Sequence, residues 1–180
     1  MCLPEGVAPE GGRRGGVGVA LGGGAEGWGG AVGAEGGGES GEWGKAVRVL
    51  VACERSGVVR EAFRARGHEA WSCDLVPADD GSEYHIIGDA LGAIHAQPWD
   101  LLLAFPPCTH LASSGARWMA EKRADGRQAA AVEFATALMA APIDRIAVEN
   151  PIGILSSIVG KPAQIIQPWM FGHGETKATC

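Results

Sequence analysis

The stretch VRVLVACERSGVVREAFRARG, residues 47–67, decides the fold. Val47 to Cys53 is an apolar run rich in valine and reads as a strand. Glu54-Arg55-Ser56-Gly57 is a polar turn. Val59, Ala62 and Phe63 then recur at i, i+3 and i+4, with Arg60, Glu61, Arg64 and Arg66 pointing elsewhere. That spacing predicts an amphipathic helix, and Gly67 closes it. A strand that turns directly into a helix is the opening unit of an alternating α/β chain.

The rest of the chain repeats the pattern. Glu69 to Asp74 reads as a second strand and Tyr84 to Ile87 as a short third one. Trp99 to Phe105 is apolar apart from Asp100, as expected of a strand buried on both faces, and stops at Pro106-Pro107-Cys108. Residues 126–141 predict the longest helix, with Ala130, Phe134, Ala137, Leu138 and Ala141 on one face and Pro142 as its stop. Asp144 to Glu149 is a further strand, ended by Asn150-Pro151. A short helical stretch near Ile154 to Val159 and the segment Gln164 to Gln167 follow. The order implies a doubly wound, mostly parallel sheet with helices on both faces.

Upstream of Val47 the texture differs. Of the first 45 residues 18 are Gly, against 11 of the remaining 135. Glycine loses much backbone entropy on ordering and brings no side chain to bury, so residues 1–45 are expected to be a disordered tail. Residues 46–180 are expected to form one domain. The net charge of −6 divides equally between the two parts, so no global field draws in nucleic acid. Cys2, Cys53, Cys73, Cys108 and Cys180 form no C-x-x-C pair and read as reduced intracellular thiols, with no metal site implied. No apolar run approaches the length of a membrane span, and the N-terminus has no signal-peptide pattern. The expectation is a cytoplasmic protein that does not enter a membrane.

In open parallel sheets ligands bind at the carboxyl ends of the strands. Here those ends are Cys53-Glu54, Asp74, Asp89, Pro107-Cys108 and Glu149-Asn150. The first turn lacks G-x-G-x-x-G and keeps only Gly57, which disfavours a dinucleotide pyrophosphate. Asp74 can accept hydrogen bonds from both hydroxyls of a ribose, or cap its own turn. Asp89 can bind an adenine amino group, or cap the helix that starts at Ala90. Cys108 follows two prolines that fix its backbone, a setting suited to a nucleophile, although a lone Cys is commonly an inert hydrophobe. Glu149, if its strand lies beside that of Cys108, can exchange a proton with whatever the thiol attacks. Arg117, Lys122, Arg123 and Arg127 cluster after the Cys108 loop, as a solvated helix face or a phosphate contact.

Pro106-Pro107-Cys108 followed by Glu149-Asn150, downstream of an adenosine-type strand–turn–helix, resembles the DNA cytosine-5 methyltransferases. The flanking text, Ala52 to Gly57, Gly160 to Trp169 and Phe171 to Lys177, is similar to a compact phage and bacterial branch of that family. The resemblance covers residues 47–180. It implies the S-adenosylmethionine-dependent methyltransferase version of the fold, with DNA as partner. It implies Cys108 as the nucleophile toward C6 of cytosine and Glu149 as the acid at N3. It implies S-adenosylmethionine along Cys53, Glu54, Gly57, Asp74, Asp89 and Pro107. The chain departs from the family in its first glycine motif, in Pro151 after Asn150, in lacking Gln-x-Arg-x-Arg, and in having no target-recognition domain; it reads as a truncated or minimal member.

Two other readings stand beside this one. An amino-methyltransferase of adenine N6 or cytosine N4 carries Asp/Asn/Ser-Pro-Pro-aromatic, where this chain has Phe105 and Cys108 at the two ends. A catalytically inactive module of the same fold could bind nucleic acid or a partner.

Overall fold

A computed structural model describes residues 45–180. The Gly-rich head, and the expectation that it is disordered, lie outside the described residues. The elements are β1 (Arg48–Ala52), α1 (Val58–Arg64), β2 (Glu69–Asp74), β3 (His85–Ile87), α2 (Ala90–Ala96), β4 (Leu101–Ala104), α3 (Met119–Ala124), α4 (Arg127–Met139), β5 (Ile146–Val148) and α5 (Leu155–Ile158). The five strands form one parallel sheet in the order β3-β2-β1-β4-β5.

That order explains where the helices lie. The chain leaves β1 toward β2 and β3, then returns past β1 to β4 and β5. Crossovers of one hand running in opposite directions put their helices on opposite faces. Val49, Val51 and Ala70 accordingly pack with Val59 and Phe63 of α1. The alternate residues Leu50, Ala52, Cys73, Leu102 and Ala104 pack with Ala93 and Ile94 of α2 and Phe134 and Leu138 of α4. Leu50, Leu102 and Leu138 are fully covered. Each such side chain contributes about 1.5–3 kcal/mol relative to exposure. The reversal of direction falls between β1 and β4, and their carboxyl ends therefore flank the crevice where α/β sheets hold ligands.

Several expectations need correction. Arg60 does not face water; it is 0% exposed, because Nη1 donates to Ser72 Oγ at 2.7 Å and Nη2 pairs with Asp80. The buried stripe of α4 is Gln128, Ala131, Ala135 and Leu138, not the Ala130 face. The helix is covered from two sides, by the sheet and by Leu111 of the loop beyond β4 and Leu155 of α5. Strands β4 and β5 are shorter than the segments expected for them, Trp99 to Phe105 and Asp144 to Glu149. Trp99 lies before β4, its indole N–H donating to Ala93 O at 2.9 Å. Gln164 to Gln167 supplies only one bridge residue, Ile166, opposite Thr179. The segment carrying Arg117 to Arg123 forms a 3-10 turn (Ser113–Trp118) and α3, in keeping with the helix-face reading of its basic cluster. No helix among the described residues is long and apolar enough to cross a membrane.

Candidate functional site

The backbone of β4 hands the chain into the Pro-Pro-Cys turn. Phe105 N–H donates to Ala52 O at 3.0 Å, which keeps the first residue past β4 tied to β1. The Pro106 carbonyl accepts from Asn150 Nδ2 at 3.1 Å. Asn150 is buried, so this bond is shielded from water and joins the end of β5 to the turn carrying the thiol. The Cys108 carbonyl then accepts from both Leu111 N and Ala112 N at 2.9 Å, closing a tight turn. Lys122 Nζ donates to Thr109 O, and Leu111 is fully covered by Ala131, Ala135 and Leu155. The thiol thus sits on a turn held from three sides.

Glu149 follows β5. Its N–H donates to Ala104 O at 2.9 Å, a parallel ladder bond that sets it beside the exit of β4. Its Oε1 accepts from Thr179 Oγ1. Burial pushes its carboxyl above the ordinary glutamate value, and the Lys177 ammonium opposes that rise. The structure brings Pro107, Cys108 and Glu149 together: all three line a cleft of about 240 Å³ with Phe105, Thr109 and Lys177. Glu149 also borders a second hollow of about 580 Å³ along the outer side of β5, whose wall includes Ile146, Val148, Leu155 and Thr179.

The other expected residues occupy the same edge of the sheet but not this cleft. Glu54 N–H donates to Cys73 O at 3.1 Å, placing Glu54 between the ends of β1 and β2. Its side chain is 8% exposed; Oε1 accepts from Ser56 Oγ, and Oε2 is buried without a partner. A buried carboxylate oxygen left unpaired is costly and is suited to a ligand donor. The preceding residue, Cys53, is buried with φ 59°, a left-handed conformation that non-glycine residues adopt at a cost and that gathers at functional sites. Asp74 is 1% exposed, and its Oδ1 accepts from Val76 N at 3.4 Å. Asp89 caps α2, accepting from Gly92 N at 3.0 Å. Gly57 has φ +78°, and a Cβ there would meet Arg60 and Asp80. Its lack of a side chain therefore admits the protein's own ion pair.

The basic cluster does not remain a patch of four free cations. Lys122 is buried on the Thr109 carbonyl, and Arg127 pairs with Glu121 and Asp125. Sequence reasoning missed Thr179, Lys177 and Gly153, which bridges Ala112, and the placing of Lys122 on the Thr109 carbonyl. The one available signal was the Lys177-x-Thr179 spacing, since residues two apart in extended chain share a side. Nothing local says which strand end that side meets. No protein-family model matches the chain, and no curated protein matches it.

Proposed function

We propose that this chain transfers a methyl group from S-adenosylmethionine to C5 of cytosine in DNA through a covalent adduct on Cys108. The observation that carries the reading is the cleft shared by Cys108 and Glu149, two residues far apart in sequence at the ends of neighbouring strands. A thiol and a carboxyl group whose hold on a proton is strengthened by burial are the two groups needed to activate a pyrimidine ring.

The residues along the strand ends suit the cofactor in their chemistry. The unpaired Glu54 Oε2 is suited to the ammonium of the methionine part, and the Asp74 carboxylate to ribose hydroxyls. When bound, S-adenosylmethionine supplies an electrophilic methyl group on a sulfonium sulfur.

The chain's own residues do the rest. The Cys108 thiolate adds to C6, and the C5–C6 π pair moves toward C4 and N3. N3 takes the Glu149 proton as that charge arrives. C5 thereby becomes an enamine carbon able to take the methyl group. The N3 proton then returns to Glu149. Loss of the C5 proton to a base restores the C5–C6 double bond and expels the Cys108 thiolate. A base stacked in a duplex is out of reach of such a cleft, so the target nucleotide must be swung out of the helix.

The test is transfer of label from methyl-tritiated S-adenosylmethionine to DNA, followed by nucleoside analysis. The expected product is 5-methylcytosine, lost in Cys108→Ser. Label on an exocyclic amine would support an amino-methyltransferase, and no label at all would support a binding module of the same fold.

A further inference from the structure

We propose that Lys177 and Thr179 complete the Cys108–Glu149 cleft, Thr179 as a positioning residue for the Glu149 carboxyl and Lys177 as the cation that meets the phosphate of a bound nucleotide. The inference deepens the cytosine reading and rests on it for the identity of the ring, but not for the contacts around Glu149.

Thr179 is not a free surface rotor. Its N–H donates to Ile166 O at 3.0 Å and its carbonyl accepts from Ile166 N at 2.9 Å. One residue on, Cys180 exchanges the corresponding pair with Asn150, at 2.9 and 3.1 Å. The backbone is therefore pinned on both sides, and the hydroxyl is delivered to Glu149 Oε1. That bond occupies one carboxyl oxygen and leaves the other for a proton and a ring nitrogen. The same Asn150 whose backbone pins Cys180 holds Pro106 through its side chain. One residue thus ties together the turn that carries the nucleophile and the segment that holds the acid.

Lys177 lies two residues before Thr179, lines the cleft with Cys108 and Glu149, and is exposed. The charged and titratable groups bordering Glu149 are Lys177 and Cys108 in the cleft, and Lys161 and Cys180 in the adjoining hollow. Lys177 is the one whose charge acts against the effect of burial on Glu149. A phosphate paired with Lys177 cancels that opposition and covers the carboxyl further. Both changes favour the neutral acid, so the Glu149 equilibrium shifts toward its protonated form as the nucleotide binds. The chemistry selects a nucleotide over a free base or nucleoside.

The experiment follows the Glu149 side-chain carboxyl carbon by NMR in full-length protein labelled with 13C-glutamate, assigned with Glu149→Gln, and uses no turnover. The probes are dCMP and deoxycytidine, which differ by one phosphate. In the wild type dCMP is expected to move the Glu149 titration to higher pH, and deoxycytidine is not. Lys177→Gln should move it to higher pH without ligand, abolish the dCMP response and weaken dCMP about twofold to fivefold, as for an exposed ion pair; Lys177→Arg should preserve all three. Thr179→Val, which removes the donor to the ionised carboxyl, should also raise the midpoint, and Thr179→Ser should restore it. An unchanged midpoint in Lys177→Gln, or equal responses to the two probes, overturns the role of Lys177. An unchanged midpoint in Thr179→Val overturns that of Thr179. Failure of methyl transfer with these shifts intact would instead count against the cytosine reading alone.

Discussion

Replacing Gly153 by alanine should damage both stability and the site. Gly153 bridges Ala112, where the loop after β5 crosses the loop that carries Cys108. Its φ lies outside the left-handed range, so the difficulty is steric alone. A Cβ would stand 2.0 Å from Leu111 O, 2.8 Å from Leu111 C and 2.9 Å from Ala112 Cα, all backbone atoms with no rotamer to yield. The two loops must separate by about 1 Å or more to reach ordinary contact. Overpacking of that kind costs about 1–3 kcal/mol. The flanking bonds Ile154 N to Leu111 O and Ser113 N to Ile152 O, both 2.9 Å, would be stretched at about 1 kcal/mol each. The total is about 3–5 kcal/mol, or a fall in Tm of about 9–15 °C for a domain of this size. Urea denaturation and calorimetry read it directly. Gly174→Ala is the control, since a Cβ there meets nothing within 4 Å. The reasoning is refuted if Gly153→Ala unfolds together with that control.

Arg60→Met should lower stability by about 2–3 kcal/mol in urea melts, because it leaves the fully buried Ser72 hydroxyl without its donor. It should also blunt acid unfolding. Asp80 is held below its ordinary value by the Ser82 N–H and by Arg60, so its contribution is present at neutral pH and lost as pH falls through its folded midpoint. Glu149 has the opposite sign: its folded value is raised by burial, so ionising it opposes folding as pH rises. The Tm of Glu149→Gln relative to wild type should therefore climb between acid and alkaline pH, and a flat difference across that range would contradict the burial argument. Asn150→Ala should cost about 1–3 kcal/mol by stranding the Pro106 carbonyl, and Cys108 alkylation rates should change as its turn loosens.

How far the fold was legible follows from where each signal arises. Residues 47–67 carry strand and helix periodicity within one local window, and β1 and α1 follow from it; β2 follows from its own run, Glu69 to Asp74. The stripe of α4 was misplaced because a sequence shows one helical face, whereas this helix packs against both the sheet and the Leu111 loop. Arg60 was misread for a related reason. Its partners Ser72 and Asp80 lie in later segments, and only the tertiary arrangement makes a buried cation acceptable. The juxtaposition of Cys108 and Glu149 was legible because parallel topology puts successive strand ends together. Thr179 and Lys177 were not, because an antiparallel return of the C-terminal segment brings them in and no turn motif marks it.

The central claim is that Cys108 attacks a cytosine ring that Glu149 activates. DNA carrying 5-fluorocytosine tests it most directly, since fluorine at C5 cannot leave as a proton does and the thiol cannot be expelled. With S-adenosylmethionine present, mass spectrometry of the digested complex should find the nucleotide attached to the peptide bearing Cys108. The adduct should be absent in Cys108→Ser and strongly reduced in Glu149→Gln. No adduct in the wild type, or one that persists in Cys108→Ser, would contradict the account.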